Sequence, residues 1–331
     1  MMHCPGGVAA EDHSLSSADG LERDLAQLAG LVNVAAARSE VRREVIRNHD
    51  DNTWWPRRIG DWRLRMAVAG WSTRVAYRGI RAYQRVVCDA EVAGYDGFCE
   101  LSDADLARLL RPIGLTTARI AYLRSLAALI RCWDDAGIVP TTVPNDTLIQ
   151  QIADQVQGAG FKVAQCAALY AKGYHCGIIP VDSGMVQLLG PCIGMRLPSG
   201  AHGHEIMRRH LERLVCRFPE TFRAIATTTG YDRELTLPIS APPTWWVHLV
   251  LIYFKRRFCN QHQPSACPFR RHPLLAGQIG TMCNRHVPKV HGNHPWQLDT
   301  HALGDPRCQA PCWRGIGYTD QGYGDDRPHP G

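Results

Sequence analysis

The amino-acid sequence predicts an all-α protein, and three observations lead to that fold class. Apolar residues recur at helical spacing in most segments between residues 21 and 258. The apolar–polar alternation that is typical of strands is almost absent, and we find no internal repeat. Short breaks rich in glycine, proline or polar residues separate the apolar segments, for example at Pro140 and Pro144. We therefore expect a series of helices joined by short loops.

The chain divides into three parts by composition. Residues 1–50 form an N-terminal extension that is partly helical, with one or two amphipathic helices between Leu21 and Arg47. Residues 51–258 form the core, and residues 259–331 are a segment rich in cysteine, histidine and proline that ends in a disordered tail. The helices expected in the core are Asp61–Val87 with an interruption at Gly70–Thr73, Leu106–Leu110, a helix capped by Thr116 or Thr117 that runs to Asp134, Thr147–Val156, Asp182–Leu189, His204–Arg217 and Trp245–Phe258.

The bulk composition is typical of a soluble globular protein. Of the 331 residues, 45% are apolar and 21% are charged, which is enough to bury a sizeable core. The net charge is +6, and only four of the 37 basic residues are lysine. Arginine suits phosphate because its planar fork donates two parallel hydrogen bonds, although a genome rich in G and C produces the same bias. The 13 scattered cysteines, with no signal peptide and no membrane-spanning run, predict a reduced cytoplasmic protein, nucleoid-associated if bacterial.

One stretch, residues 156–184, carries the most specific functional pattern. Gly158 and Gly160 allow a tight turn that leaves backbone amides uncovered. Helical periodicity begins directly after Gly160, so Lys162 falls in the first turn of the next helix. Asp182 follows an apolar run, twenty positions after Lys162. A lysine and a carboxylate therefore bracket a helix that begins at a phosphate-type turn.

This stretch resembles the motif of the helix-hairpin-helix DNA glycosylase superfamily, which includes endonuclease III, 8-oxoguanine glycosylases and mismatch adenine glycosylases. The family hairpin reads L-P-G-V-G-x-K-x-A, and residues 156–164 read V-Q-G-A-G-F-K-V-A. The family's P-V-D-T-H is matched by P-V-D-S-G at residues 180–184. Residues 110–119 are similar to another helix start of the family. The resemblance covers roughly residues 55–260.

The resemblance implies a two-lobed helical fold that contains a helix-hairpin-helix motif, with a DNA cleft between the lobes. It implies a base-excision-repair enzyme that removes a damaged or mismatched base from double-stranded DNA and cleaves at abasic sites. Lys162 would form a Schiff base that supports β-elimination, and Asp182 would be its acidic partner. The amides of Gly158 and Gly160 would hold a backbone phosphate. The protein is expected to be a monomer that contacts no membrane.

The sequence leaves less specific interpretations open. Lys162 could be an ordinary solvated lysine after a turn, and Asp182 could be only a helix cap. The protein could also be a monofunctional glycosylase in which Lys162 is idle. A third interpretation is a DNA-binding protein that has lost catalysis.

Further candidates for DNA contact lie outside the motif. Trp71, Ser72 and Thr73 stand where relatives insert polar side chains into the gap left by the flipped base. Trp71 could stack on a base, or it could pack in the core. Arg119 is a candidate for a phosphate contact. Gly184 departs from the family, which usually has His or Asn after the aspartate.

The C-terminal cysteines form an incomplete metal motif. Many relatives hold an iron–sulfur cluster on four cysteines spaced C-x6-C-x2-C-x5-C. The present chain has Cys259, Cys267 and Cys283, but the second cysteine of the motif is missing, and the spacing from the first cysteine to the Cys-Pro at 267–268 is two residues short. With His262 or His272, the three cysteines could instead suit zinc. A remnant that binds no metal is the other interpretation, so the sequence makes no cofactor certain.

Overall fold

The computed structural model describes residues 18–56, 58–75, 79–195, 197–198, 201–259 and 267–268. Within these residues the predicted all-α fold is confirmed, and the β-type pairing is limited to an isolated bridge between Asn52 and Trp55. Two π-helical segments, Met185–Leu189 and Lys255–Cys259, accompany the α-helices. The α-helices are α1 (Ala18–Ala36), α2 (Ser39–His49), α3 (Trp62–Trp71), α4 (Ile80–Glu100), α5 (Asp103–Leu110), α6 (Thr116–Asp135), α7 (Asn145–Gln155), α8 (Phe161–Lys172), α9 (Ala201–Arg217), α10 (Pro219–Thr228) and α11 (Thr244–Phe254).

The two N-terminal helices share the hydrophobic core of the other helices. α1 buries Leu28, Leu31 and Val32, and α2 buries Val41 and Val45. α1 packs against α10 and α11, and α2 packs against α11. The N-terminal and C-terminal parts of the helical region are therefore held together by buried apolar side chains.

α3 packs against α6 and α8, and α11 packs against α1, α2 and α9. Gly70 of α3 lets α6 approach closely, because a Cβ on Gly70 would lie 2.2 Å from the ring of Tyr122. The hydroxyl of Tyr122 donates to the carbonyl of Met66 at 2.8 Å. Every residue of α11 is buried, which explains why its sequence is apolar all round. α11 therefore runs through the interior and brings its C-terminal end to the candidate site.

The structure departs from the sequence predictions at several helix ends. The predicted threonine cap of α6 is wrong, because α6 begins after Leu115 in a left-handed conformation with φ of 49° and no side chain caps it. α4 continues to Glu100, well beyond the predicted helix end, and α10 was not predicted at all. The expected helix after Asp182 is the first π-helical segment. Among the described helices, none is long and apolar enough to span a bilayer.

Candidate active site

The turn that precedes Lys162 is exposed and depends on glycine. Residues 156–160 connect α7 to α8, and Gly158 has a φ of 79°, which side chains with a Cβ rarely adopt. Gly158 and Gly160 are both exposed. The first amides of α8 lack acceptors within the helix, so the helix presents N–H groups beside the turn. Lys162 lies in this first turn of α8 and is half-buried.

The backbone that leads to Asp182 is fixed by buried hydrogen bonds. Gln165 of α8 is fully buried, and its Oε1 accepts the amide of Val181 at 2.9 Å. The amide of Ile179 donates to Oε1 of Glu212 at 2.8 Å. These two bonds fix the chain just before Asp182 relative to α8 and α9, and thus relative to the helix that carries the candidate lysine.

Arg208 of α9 holds the acceptors of both bonds in place, Glu212 directly and Gln165 through Glu205. Its fully buried guanidinium contacts Glu205, lies 2.5 Å from Oε2 of Glu212 and lies 2.5 Å from Oδ1 of Asp146. The side-chain amide of Gln165 donates to Oε2 of Glu205 at 3.0 Å. One buried network therefore joins α7, α8, α9 and the segment that ends at the candidate carboxylate.

Both carboxylate oxygens of Asp182 are engaged. Oδ1 accepts the amide of Met185 at 2.7 Å, so Asp182 caps the first π-helical segment. Oδ2 lies 2.5 Å from Nζ of Lys255, and the two side chains are 20% and 6% exposed. Burial raises the pKa of Asp182, but Lys255, Lys162 and the Met185 amide outweigh burial and hold that pKa well below its ordinary value. Asp182 is therefore ionised at neutral pH.

Three further groups lie in the electrostatic environment of Asp182. Burial lowers the pKa of Lys255, and Asp182 offsets part of this effect. Burial, followed by the charge of Lys162, lowers the pKa of His248 to about 3. Burial raises the pKa of the Cys166 thiol to about 11, against the opposing charge of Lys162. His248 and Cys166 are therefore uncharged at neutral pH.

Lys162 and Asp182 belong to the same candidate site, but the lysine in direct contact with Asp182 is Lys255. The charge of Lys162 acts on both Asp182 and His248. Among the described residues, the ion pair of Asp182 is with Lys255. The site thus contains one carboxylate, a half-buried lysine beside an exposed turn, and an enclosed lysine that holds the carboxylate.

Trp71 and Arg119 lie in the interior, which corrects the expectation that they contact DNA. Trp71 is fully buried, and its ring centroid lies 4.8 Å from that of Phe98. The guanidinium of Arg119 donates to backbone carbonyls, including those of Trp71 at 2.5 Å and Thr73 at 3.1 Å. A buried guanidinium needs such acceptors, so Arg119 ties α6 to the end of α3. Ser72 and Thr73 are half-buried in the turn that Arg119 holds.

The cysteine-containing segment lies mostly outside the described residues. Cys259 ends the second π-helical segment and is half-buried, and Cys267 is buried. Cys283, His262 and His272 are outside the described residues. No group of three or more His, Cys, Asp or Glu side chains that could hold a metal ion occurs in the described part of the chain. The iron–sulfur and zinc interpretations therefore stay predictions.

Sequence reasoning missed Lys255 as a member of the site. Lys255 is 73 positions from Asp182, and the sequence marks it only as a basic residue at the end of an apolar helix. The available signal was Gly184, a small residue that the structure shows packed against Lys255. Gln165 and Arg208 were also missed, because a single sequence does not tell which buried polar residues are partners.

Comparisons with models of protein families, with curated proteins and with solved structures give no match to this chain. The fold and the site define an all-α protein in which an ionised aspartate faces two lysines of different exposure. The functional assignment therefore rests on these residues and their chemistry.

Proposed function

We propose that the protein is a DNA glycosylase with associated β-elimination activity, acting on double-stranded DNA that contains a lesion or an abasic site. The observation that carries the proposal is that Lys162, in the first turn of α8, interacts electrostatically with the ionised carboxylate of Asp182. The motif resemblance of residues 156–184 supports the same assignment. Without the lysine, the aspartate would be explained by its contacts as a cap and as an ion-pair partner.

The first step of the proposed reaction replaces the base by the lysine. A flipped nucleotide presents C1′ of its sugar. The Lys162 ammonium first loses a proton to solvent, and the free amine then forms a bond to C1′ while the bond from C1′ to the base breaks. The electron pair of the broken bond leaves on the base, which takes up a proton. Asp182 stabilises the positive charge that develops on the sugar, because a fixed anion beside a developing cation lowers the barrier.

The lyase step follows from the same covalent bond. Cleavage of the bond between C1′ and O4′, with a proton taken up by O4′ and a proton lost from nitrogen, gives an iminium on Lys162. Loss of a C2′ proton to solvent then forms the double bond between C2′ and C3′ and expels the 3′ phosphate. Water finally releases the cleaved strand from Lys162, so the amine is regenerated.

The exposed turn before α8 is the proposed phosphate contact. Gly158 and Gly160 have no side chains to cover their amides, and the turn lies at a helix N-terminus, which favours anions. Such a contact positions the duplex without reading its sequence. It would place the DNA backbone beside the first turn of α8, where Lys162 lies.

Borohydride trapping on a duplex with a single abasic site tests the proposal. Reduction of the iminium links an active protein covalently to the DNA. We expect wild type to become linked and Lys162→Arg to fail, because arginine keeps the positive charge but cannot form the iminium. Lys172→Arg is the matched control at the other end of α8, where Lys172 donates to Asn145 at 2.7 Å. Equal trapping of Lys162→Arg and wild type would refute the assignment of Lys162.

The excised base is identified by a separate panel of duplexes. The panel contains oxidised pyrimidines, 8-oxoguanine, uracil and mismatches, each placed once in the same sequence. Base release is measured before any strand cleavage, so that glycosylase activity is separated from lyase activity. We expect release from at least one duplex and no release from the undamaged duplex.

A DNA-binding protein without catalysis is the second candidate function. The observation that favours it is that both oxygens of Asp182 make structural contacts, one with the Met185 amide and one with Lys255. This candidate predicts that wild-type protein binds the abasic duplex, leaves every strand intact and gives no trapped adduct across the whole panel.

A further inference from the structure

Gly184 is needed for space rather than for backbone conformation. Its φ of −70° and ψ of −32° are ordinary helical values that other residues adopt. A Cβ at this position would lie 2.8 Å from Nζ, 3.1 Å from Cδ and 3.3 Å from Cε of Lys255. Gly184 therefore leaves the room through which the Lys255 side chain reaches Asp182.

Lys255 approaches Asp182 from a distant part of the chain. It begins the π-helical segment that follows α11, and its side chain is 6% exposed. Its Nζ holds Oδ2 of Asp182 at 2.5 Å, while the amide of Met185 holds Oδ1 at 2.7 Å. Because both oxygens are held, the carboxylate cannot rotate without breaking a hydrogen bond to one of them.

Other charged and titratable groups face this pair from α8, from α11 and from the second π-helical segment. Lys162 and Cys166 come from α8, His248 comes from α11, and Arg256 follows the lysine of the pair. Burial keeps the thiol and the imidazole uncharged at neutral pH, as described above. The protonation of the carboxylate is therefore governed by the neighbouring cations rather than by another acid.

We propose that Lys255 is a positioning residue of the site: it is the fixed counter-ion that orients the Asp182 carboxylate, and it leaves Lys162 as the amine that reacts. The catalytic part of this inference rests on the proposed glycosylase and lyase function. The two lysines differ as the division of roles requires, since Lys162 is half-buried beside an exposed turn and Lys255 is enclosed. Lys255 is held as an ammonium in the ion pair with Asp182, so it has no free electron pair and does not attack the sugar, whereas Lys162 is not part of that ion pair.

The pH dependence of strand cleavage on a duplex with one abasic site tests the positioning role. Lys255→Gln keeps a hydrogen-bond donor but removes the charge, and Lys255→Arg keeps the charge. Loss of the facing cation raises the pKa of Asp182, so the acid limb of the cleavage rate moves to higher pH by about 1–3 units in Lys255→Gln. In Lys255→Arg we expect the limb to stay near that of wild type. An acid limb that does not move in Lys255→Gln would overturn the inference.

Mapping the trapped adduct tests the division of roles. After borohydride trapping on the abasic duplex, peptide mass spectrometry identifies the lysine that carries the sugar. We expect the adduct on Lys162 in wild type, in Lys255→Gln and in Lys255→Arg. An adduct on Lys255 would overturn the inference and would make Lys255 the nucleophile.

Thermal unfolding of the DNA-free protein separates this inference from the proposed function. If wild type gives neither adduct nor cleavage, the proposed function fails, and the ion pair is then judged by unfolding alone. The carboxylate has a lowered pKa in the folded state, so its benefit is full above the unfolded pKa of about 4 and is lost as the pH falls below it. The Tm of wild type relative to that of Lys255→Gln therefore falls as the pH is lowered below about 4. A Tm difference that is independent of pH would refute the pairing.

Discussion

Substitution of Gly184 by alanine is the sharpest test of the way in which Lys255 is seated. The added Cβ would lie 2.8 Å from Nζ of Lys255, whereas ordinary contacts begin at 3.4 Å. The ammonium must therefore retreat by about 0.6 Å. It cannot do so freely, because it is bonded to Asp182 at 2.5 Å. The substitution thus sets a methyl group directly against a buried ion pair.

The expected cost combines two opposing effects. Overpacking a buried site typically costs about 1–3 kcal/mol. Alanine at a backbone conformation that it tolerates stabilises by about 0.4–1 kcal/mol through the unfolded chain, and Gly184 has such a conformation. We expect a net loss of about 1–2 kcal/mol of unfolding free energy, which corresponds to a fall in Tm of roughly 2–8 °C for a domain of this size.

Urea unfolding of a double-mutant cycle isolates the cause. Lys255→Ala removes the side chain that the new methyl group would strike, so Gly184→Ala should cost nothing in that background. Gly97→Ala is the matched control, because Gly97 lies in α4 and a Cβ there meets nothing within 4 Å. The control should be neutral or stabilising by up to about 1 kcal/mol. The coupling between positions 184 and 255 should be about 1–3 kcal/mol.

Two results would refute this reasoning. If Gly184→Ala were as harmless as Gly97→Ala, Lys255 would not occupy the space beside residue 184. If Gly184→Ala cost the same with and without the Lys255 side chain, the clash would be with another group. In either case the packing of Lys255 against Gly184 would no longer support the role of Lys255 as the fixed counter-ion of Asp182.

The remaining predictions concern the buried network, the buried imidazole and the tryptophan. Arg208→Met leaves Glu205 without its buried partner and should lower the free energy of unfolding by about 3–5 kcal/mol, measured in urea. The control is Arg209→Met: the Arg209 side chain is 48% exposed, so this change should cost less than about 1 kcal/mol. Similar costs for the two variants would contradict the network. Burial holds the pKa of His248 at about 3, so the unfolded chain binds a proton below about 6.5 that the folded protein does not. Stability should therefore fall by up to about 1.4 kcal/mol per pH unit between pH 6 and pH 4, and His248→Phe should remove this slope; an unchanged slope would refute the buried neutral imidazole. Trp71→Ala should cost about 3–5 kcal/mol of stability, and the affinity of the folded fraction for the abasic duplex should not change; a separate loss of affinity would return Trp71 to the DNA-contacting surface.

The helices could be predicted because their buried faces repeat at helical spacing. The residues at which helices begin and end could not be predicted, because they depend on neighbours that are distant in sequence. A threonine cap was expected at the start of α6, but Leu115 precedes the helix in a left-handed conformation and no side chain caps it. Gly158 was predicted correctly as a turn residue, since a positive φ is a property of the residue itself.

The same distinction explains what could be predicted about the site. Lys162 and Asp182 lie within one stretch of sequence, so their spacing marks them as candidate site residues. Lys255, Gln165 and Arg208 reach the site through the packing of α8, α9 and α11. A single sequence does not show which distant residues are partners; the small residue Gly184, which leaves space for Lys255, was the available sign.

The pairing of Asp182 with Lys255 bears on how the glycosidic bond would break. A carboxylate that stabilises a sugar cation acts through its full negative charge, but the charge of Asp182 is partly neutralised by an ammonium at 2.5 Å. Such a carboxylate is a weak stabiliser of a cation that has no covalent partner. In the proposed reaction, attack by the Lys162 nitrogen would transfer the positive charge from the sugar to the nitrogen, so Asp182 would have less positive charge to stabilise. If the protein is the proposed glycosylase, the ion pair therefore favours a reaction through a covalent bond to Lys162 over a monofunctional reaction that relies on Asp182 alone.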